Sequence, residues 1–540
     1  MEAYLSGRNL RLVAVAGAGK TSTLVMMARA RPDRRLLYLA FNRSVRQDAE
    51  RKFPPNVEVR TLHSLALKEV VGREGGYRRK LEASGGRFRP AAIRDALGLE
   101  GGAVVYAIRS TLETFLRSAL HEPVPAMIPP AYRAALRTRM GEAKAKGVEA
   151  AILQAVRELW ARTQDPLDPA PLFSHDAYVK IWSLSKPRLG GVDALLVDEA
   201  QDLDPVFVGI LRAQNHLQKV FVGDPRQQIY AFRGAVDAMG DLEGELSRLT
   251  WSFRFGEEIA QTVRALGLVY GEPFEIHGKG RVPGEVAGYG FLEGGLEGFR
   301  RDGMPLTILT RTNAGIVDAL AAMDFPGRFH VVGGTREIAA LMRDAEALRT
   351  GAPRPFPHPE LALLETWHDL EALAEEVQDP QAAIIVRLGE RFDSLAALAD
   401  YLEGGQTERE EEAPLVLSTA HKAKGREWRA VLLAGDFPLV WNPDWRRRLL
   451  ARGEMPPEEE DNLYYVALTR AKEVLLLPAE ALASLAEYRT SGFLPEEAGP
   501  RQPSPVDRLP LFPEATDSGG GVDGLLRALL TDGRVPAEYR

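Results

Sequence analysis

Residues 194–202 read Ala-Leu-Leu-Val-Asp-Glu-Ala-Gln-Asp. Four apolar residues followed at once by two carboxylates describe a buried strand that presents Asp198 and Glu199 at its end. Far upstream, Ala14-Val15-Ala16-Gly17-Ala18-Gly19-Lys20-Thr21 closes a second apolar run over 11–16 and opens a helical pattern over 20–30. A Gly-rich turn between strand and helix aims backbone N–H groups at an anion, at the positive end of the helix. Gly17 and Gly19, flanking Ala18, allow close backbone approach. Lys20 is placed to reach the β- and γ-phosphates and Thr21 to ligate Mg²⁺, with Ser22 beside it in the first helical turn. Ala14 stands where the first glycine of this pattern is usual, so the loop alone also fits a sugar-phosphate or dinucleotide enzyme. The paired carboxylates argue for hydrolysis instead: Asp198 suits the metal, and Glu199 suits the base that orients an attacking water.

A third apolar run, Lys219-Val220-Phe221-Val222, ends in Gly223-Asp224-Pro225-Arg226-Gln227-Gln228-Ile229-Tyr230-Ala231-Phe232-Arg233-Gly234-Ala235. A strand end beside the first two places Gln227 against the γ-phosphate. Tyr230 and Phe232 add aromatic faces, and such faces in a basic groove stack single-stranded bases at about 1–3 kcal/mol each. A lone aromatic is more often core; here the motif context favours stacking for Phe232. After residue 300 a second series of strands alternates with helical patterns, at 306–310, 330–332, 415–418, 430–433 and 474–477, which makes a second α/β sheet. Its strand ends carry polar clusters around Arg311, over Thr419–Glu427 and over Tyr465–Ala471.

At 540 residues the chain is too long for one core. Its apolar content of 45% and charged content of 26% are those of ordinary soluble protein. Zero cysteines exclude disulfides, thiolate metal sites and cysteine nucleophiles. There is no long apolar run and no secretory pattern, so a cytoplasmic location is expected. A net charge of −7 argues mildly against a polyanion partner. The charge is uneven, however: 403–412 and 457–461 are acidic, and 132–147 is rich in Arg and Lys.

Taken in order, these motifs over 11–480 resemble the superfamily 1 DNA helicases of the UvrD/Rep/PcrA type. The segments Phe41–Ser44, Thr61–Ser64, Gly223–Ala235, Ser252–Gly256 and Leu463–Ala467 are similar to the helicase core of the eukaryotic F-box DNA helicase. The resemblance implies two tandem RecA-like P-loop α/β domains with inserted, mainly helical subdomains. The first domain would span 1–75 plus 177–246, with its insertion at 76–176. The second would span 247–339 plus 412–495, with a short insertion at 340–411, and 496–540 would be a flexible tail. ATP and Mg²⁺ are then the expected cofactors. Lys20, Thr21, Asp198, Glu199 and Gln227 would form the first-domain half of the ATP site. Arg254 and Arg470 would contact the γ-phosphate from the second domain, and Glu427 would bind the ribose. Phe41, Asn42, His63, Tyr230, Phe232, Arg233, Thr419 and His421 would line the single-strand track, although a lone histidine is more often structural.

The family's adenine-reading glutamine motif lies well before the P-loop lysine, whereas 19 residues precede Lys20 here and the first glutamine is Gln47. Either that motif falls outside this sequence or the base is held mainly by stacking; Tyr38 and Tyr465 are not assignable to that task from sequence. Arg133, Arg137, Arg139, Lys144 and Lys146 cluster in the first insertion, by default as a solvated helix face. From 496 the chain turns Pro- and Gly-rich, a linker pattern. Within it Arg508-Leu509-Pro510-Leu511-Phe512 resembles the apolar peptide by which bacterial DNA proteins dock on the sliding clamp, with Arg508 where Gln is usual. The function expected is an ATP-driven single-stranded DNA motor moving 3′ to 5′, in repair, recombination or replication. The alternative is an ATP-gated DNA-binding or scaffold subunit that needs a partner to unwind; an RNA motor ranks third.

Overall fold

The computed structural model describes residues 1–72, 75–99, 102–229, 238–289, 305–354, 358, 360–361, 364–375, 379–451 and 458–491. Tyr230, Phe232 and Arg233, the linker and the Arg508–Phe512 peptide lie outside the described residues.

The first sheet comprises β1 (Leu10–Ala14), β2 (Leu36–Ala40), β3 (Val57–Thr61), β4 (Ala194–Val197), β5 (Gln218–Gly223) and β6 (Glu245–Leu249). Their order is β3-β2-β4-β5-β1-β6, and every pairing is parallel. Central strands β2, β4 and β5 are buried along their whole length, whereas edge strand β6 is largely exposed. That difference follows from burial: a parallel strand covered on both faces is apolar throughout, and an edge strand is not. β6 pairs with β1 as far as Leu249, three residues beyond the boundary expected at 246. Its sequence, Glu-Leu-Ser-Arg-Leu, carries too little apolar signal to announce a strand.

β7 (Trp251–Ser252) and β8 (His277–Gly278) form a small parallel pair. The second sheet comprises β9 (Glu285–Tyr289), β10 (Leu306–Thr310), β11 (His330–Val331), β12 (Leu415–Thr419), β13 (Trp428–Leu433) and β14 (Ala471–Pro478). Its order is β11-β12-β10-β13-β14-β9, again parallel throughout. In both sheets the strand ends face short turns into helices, the place where open α/β sheets bind ligands.

The helices between β3 and β4, including Gly102–Arg117, Glu142–Gln164 and His175–Leu184, share one core with the first sheet. Phe115, Ile152, Phe173 and Trp182 pack in continuity with Leu39, Leu195 and Phe221. The helices Arg336–Thr350, Pro380–Arg391 and Leu395–Gly405 likewise pack against Leu306, Ile308 and Leu417. A third cluster joins the two halves: Ala16 and Ile229 are buried with Phe255, Ile259, Tyr465 and Leu468. The phosphate loop thus sits on the seam between the sheets. No helix among the described residues is long and apolar enough to cross a membrane.

Candidate nucleotide-hydrolysis site

The cradle forms because β1 ends beneath a loop whose backbone turns left-handed twice, at Gly17 (φ 75°) and Gly19 (φ 77°). Gly19 caps the helix Lys20–Ala30, which holds to the sheet through Leu24, Val25, Met27 and Ala28, an i, i+3, i+4 face. Gly19 offers no capping side chain, which leaves the first helical N–H groups for an anion. Ala18 is buried and Ser22 is exposed on the first turn. The Lys20 ammonium lies 3.2 Å from Glu199 Oε2. Burial works against its charge, but Glu199, Asp224 and Asp198 outweigh it and hold its pKa above the usual lysine range.

Thr21 Oγ1 donates to Asp198 Oδ2 at 3.0 Å, and the buried Tyr38 hydroxyl donates to the same oxygen at 2.8 Å. Burial, with Glu199 adjacent, pushes the Asp198 carboxyl up. Among the described residues no group of three or more His, Asp or Glu side chains is arranged to hold a metal. Mg²⁺ takes one or two carboxylates and completes its octahedron with phosphate and water oxygens. Thr21 and Asp198 are hard oxygen donors already within 3.0 Å of each other, and an under-compensated carboxylate favours a cation.

Glu199 sits in the left-handed region (φ 51°) without being glycine. Such a conformation costs on the order of 1–3 kcal/mol and persists where its surroundings over-determine it, often at functional sites. Glu199 N donates to Asp198 Oδ1 at 2.9 Å, and Gln201 Nε2 donates to Glu199 Oε2 at 2.7 Å. Burial raises the carboxyl, but Lys20 and then Lys424 more than offset it and hold it down at about 2. The group is a carboxylate at neutral pH, the form a base requires. Gln227 Nε2 donates to Asp224 Oδ2 at 2.7 Å, which turns its carbonyl toward the seam.

The segment after β7 brings Arg254, and the turn into β14 of the second sheet brings Arg470. Phe253 N donates to Gly17 O at 2.9 Å, so the Trp251–Arg254 segment lies directly on the phosphate loop. Arg254 donates to Glu427 Oε2 at 2.8 Å and to Thr469 O at 3.0 Å. Arg470 is 1% exposed; it donates to Val466 O at 2.8 Å and reaches Gln227 Oε1 at 3.4 Å. Burial, and then Arg254, bring its pKa down to about 9. Two guanidiniums repelling one another at a buried seam favour an anion between them. Glu427, expected at a ribose, has its carboxylate engaged by Arg254 and by Lys472 at 3.0 Å.

Several residues at the site carried no interpretable signal in sequence. Tyr465 is buried; its hydroxyl accepts from Ala16 N at 3.2 Å and donates to Asp224 Oδ2 at 3.0 Å. Tyr38 is also buried, against Phe53, so neither tyrosine presents an open face for a base. Phe253 does: it is 62% exposed and anchored beside Gly17. Lys424 crosses from the second half to Asp202 Oδ1 at 2.7 Å and to Gln227 O at 2.6 Å. A cavity of about 580 Å³ lies along the seam by Asp224 and Tyr465. Its charges are mostly satisfied internally, with Arg226 on Glu272 at 3.2 Å and Arg446 on Asp461 at 2.7 Å.

The expected strand-track residues divide. Phe41 is 42% exposed at the end of β2 and shares a cavity of about 170 Å³ with His63, Arg117, Asp202 and Phe207. His63 packs edge-on against Tyr178 and Phe207, with ring centroids 5.9 and 5.4 Å away, and burial lowers its pKa. It is both a packed histidine and a cavity wall. Asn42 caps the helix Arg43–Lys52 by accepting from Val45 N at 2.9 Å, and Thr419 caps Ala420–Ala423 by accepting from Lys422 N. Half-buried His421 follows in that turn. The basic cluster is largely compensated: Arg133 and Arg137 both meet Glu149, and Arg137 and Lys146 meet Glu142.

The AAA domain model matches residues 1–233 and the UvrD-like helicase C-terminal domain model matches 362–480. The chain belongs to the superfamily 1 helicases. It is 31% identical to F-box DNA helicase 1 of Gallus gallus over 503 residues, which is 87% of this chain and 47% of the relative. It is 29% identical to F-box DNA helicase protein 1 of Schizosaccharomyces pombe over 520 residues, 87% of this chain and 55% of the relative. A probable DNA helicase of Mycoplasma pneumoniae is 36% identical over 120 residues, 21% of this chain and 20% of that protein. The helicase core thus spans about half the length of the curated relatives it matches along most of its own.

Proposed function

We propose that the chain is an ATP-driven single-stranded DNA translocase or helicase moving 3′ to 5′, used where strands are exposed in repair, recombination or replication. One observation carries the reading: the phosphate cradle at the end of β1 is overlaid by the segment after β7 that carries Arg254, and Arg470, just before β14 of the second sheet, reaches Gln227 beside it. A nucleotide bound on such a seam ties the two halves together, and its hydrolysis releases them. Polarity is the family's expectation.

Lys20 and the N–H groups at Gly19 hold the phosphates. Thr21 and Asp198 would hold Mg²⁺, which supplies charge neutralisation at the transferring phosphoryl group. Glu199, ionised, accepts a proton from the attacking water while Gln227 helps to orient it. Arg254 and Arg470 stabilise charge that develops at the γ-phosphate, a role for which planar, permanently charged groups suit. Phe253 stacks on the base. Phe41 and His63 on the first half, and Thr419 and His421 on the second, lie on elements that open and close with the seam, so grip on a strand alternates between halves.

Steady-state ATP hydrolysis with and without single-stranded DNA tests this, with Lys20→Ala as the blank. Stimulation that vanishes in the variant is expected. Hydrolysis that does not respond to DNA overturns the motor reading and favours the partner-dependent scaffold.

A further inference from the structure

Gln201 has no role in the chemistry described so far, yet it is fully buried and touches three functional segments. Its Nε2 donates to Glu199 Oε2 at 2.7 Å and to Asp202 Oδ2 at 3.3 Å, and its Oε1 accepts from Asp224 N at 3.0 Å. The amide has one workable orientation, because its nitrogen faces two carboxylates and its oxygen faces an N–H. Space for it is made by Gly223, where a Cβ would stand 2.5 Å from Gln201 Oε1.

The Asp202 carboxylate, 1% exposed, is the receiving end of the Lys424 ion pair from the second sheet. It also lines the cavity shared by Phe41 and His63. Lys424 lies three residues beyond His421, in the turn that follows β12. Polar contacts therefore run from Lys424, in the turn after His421, through Asp202 and Gln201 to the Glu199 carboxylate, and Asp202 borders the cavity that Phe41 and His63 share. Glu199 is the residue whose left-handed backbone needs external support.

We infer that Gln201 is a positioning residue that aims Glu199, and that Lys424 sets this aim when the second half closes on Asp202. This rests on the hydrolytic reading of the site given above. Lys424 withdrawing leaves Asp202 as a buried carboxylate that keeps, among the described residues, the Gln201 amide as its side-chain hydrogen-bond partner. The amide then shifts toward Asp202 and loosens its hold on Glu199. Strand binding at His421 fixes Lys424 in place and so promotes turnover.

The test measures kcat, KM for ATP and equilibrium affinity for a fluorescent oligothymidine in Lys424→Gln, Lys424→Arg, Gln201→Met and the Lys424→Gln/Gln201→Met double variant. A misaimed base lowers DNA-saturated kcat on the order of 10- to 100-fold, with KM and oligonucleotide affinity held within about twofold. The double variant falls no further than the worse single one, because both act through one path. Lys424→Arg restores a substantial part of kcat. Gln201 is fully buried and its replacement can disturb the fold, so the Lys424 pair carries the same prediction at the seam. Multiplying losses, a raised KM with kcat intact, or unchanged Lys424→Gln turnover overturns the inference. Wild-type turnover equal to that of Lys20→Ala overturns the hydrolytic reading along with it.

Discussion

Gly17→Ala and Gly19→Ala separate the phosphate loop's own geometry from its contact with the second half. Both glycines have nearly the same left-handed backbone, φ 75° and 77°, so alanine costs each about 1–2 kcal/mol. Their surroundings differ. A Cβ on Gly17 would stand 2.6 Å from Arg254 Cβ and 2.6 Å from Ser252 Oγ, whereas on Gly19 the nearest atom is Ser22 Cβ at 3.9 Å. Ordinary contact begins near 3.4 Å, so the Arg254 segment must retreat by about 0.8 Å, the difference between 3.4 and 2.6 Å. A misplacement of that order costs about 100-fold in rate, or about 2.7 kcal/mol of barrier. Steady-state hydrolysis at saturating ATP and single-stranded DNA is expected to show that loss in kcat for Gly17→Ala and much less for Gly19→Ala. Arg254→Ala should add little to Gly17→Ala, since the arginine has already been displaced. Equal losses at both glycines, or losses that multiply with Arg254→Ala, would refute the claim that Gly17 is glycine because the second half approaches it.

Other outcomes follow from the same geometry. Glu199→Gln should retain ATP and DNA binding while turnover falls by about 10²–10⁴-fold, as expected for loss of a base; unchanged turnover removes it from that role. Phe253→Ala should raise KM for ATP about tenfold with kcat nearly intact, matching one lost stacking contact; an unchanged KM would show that the ring does not meet the base. Lys180 is 1% exposed, donates to Ser118 O at 2.7 Å, and has its pKa brought down to about 7 by burial. Between about pH 7 and the unfolded lysine's value near 10.4, the unfolded state binds the extra proton, so wild-type stability rises with pH through that window. Lys180→Met removes the linkage: its apparent Tm should gain on wild type most below pH 7, and that gain should shrink toward pH 10. A Tm difference independent of pH would contradict the depressed lysine.

The readable parts of this protein are the local ones. A strand, a Gly-rich turn and a helix are consecutive in the chain, so 14–21 announced a phosphate cradle without reference to anything distant. The carboxylates after Ala194–Val197 did the same. The arginines at 254 and 470 came through resemblance, as no local pattern marks an arginine that acts on another domain. Edge strands β6 and β9 escaped notice because half-exposed strands carry little apolar signal. Tyr38 and Tyr465 are aromatic residues in apolar context, and only their packing shows hydroxyls bonded to Asp198 and Asp224.

The amino-acid sequence by itself determined that two α/β sheets exist, and which strand ends carry the Gly-rich turn and the paired carboxylates. These follow from periodicity and from chemistry held within a few consecutive residues. Tertiary structure alone decided that Gly17 meets Arg254, that Lys424 reaches Asp202, and that the Gln201 amide turns one face to Glu199 and the other to Asp224. Those pairings span the seam between sheets, or adjoining strands far apart in the chain. Their partners are chosen by strand order and helix packing, which no spacing along the chain encodes.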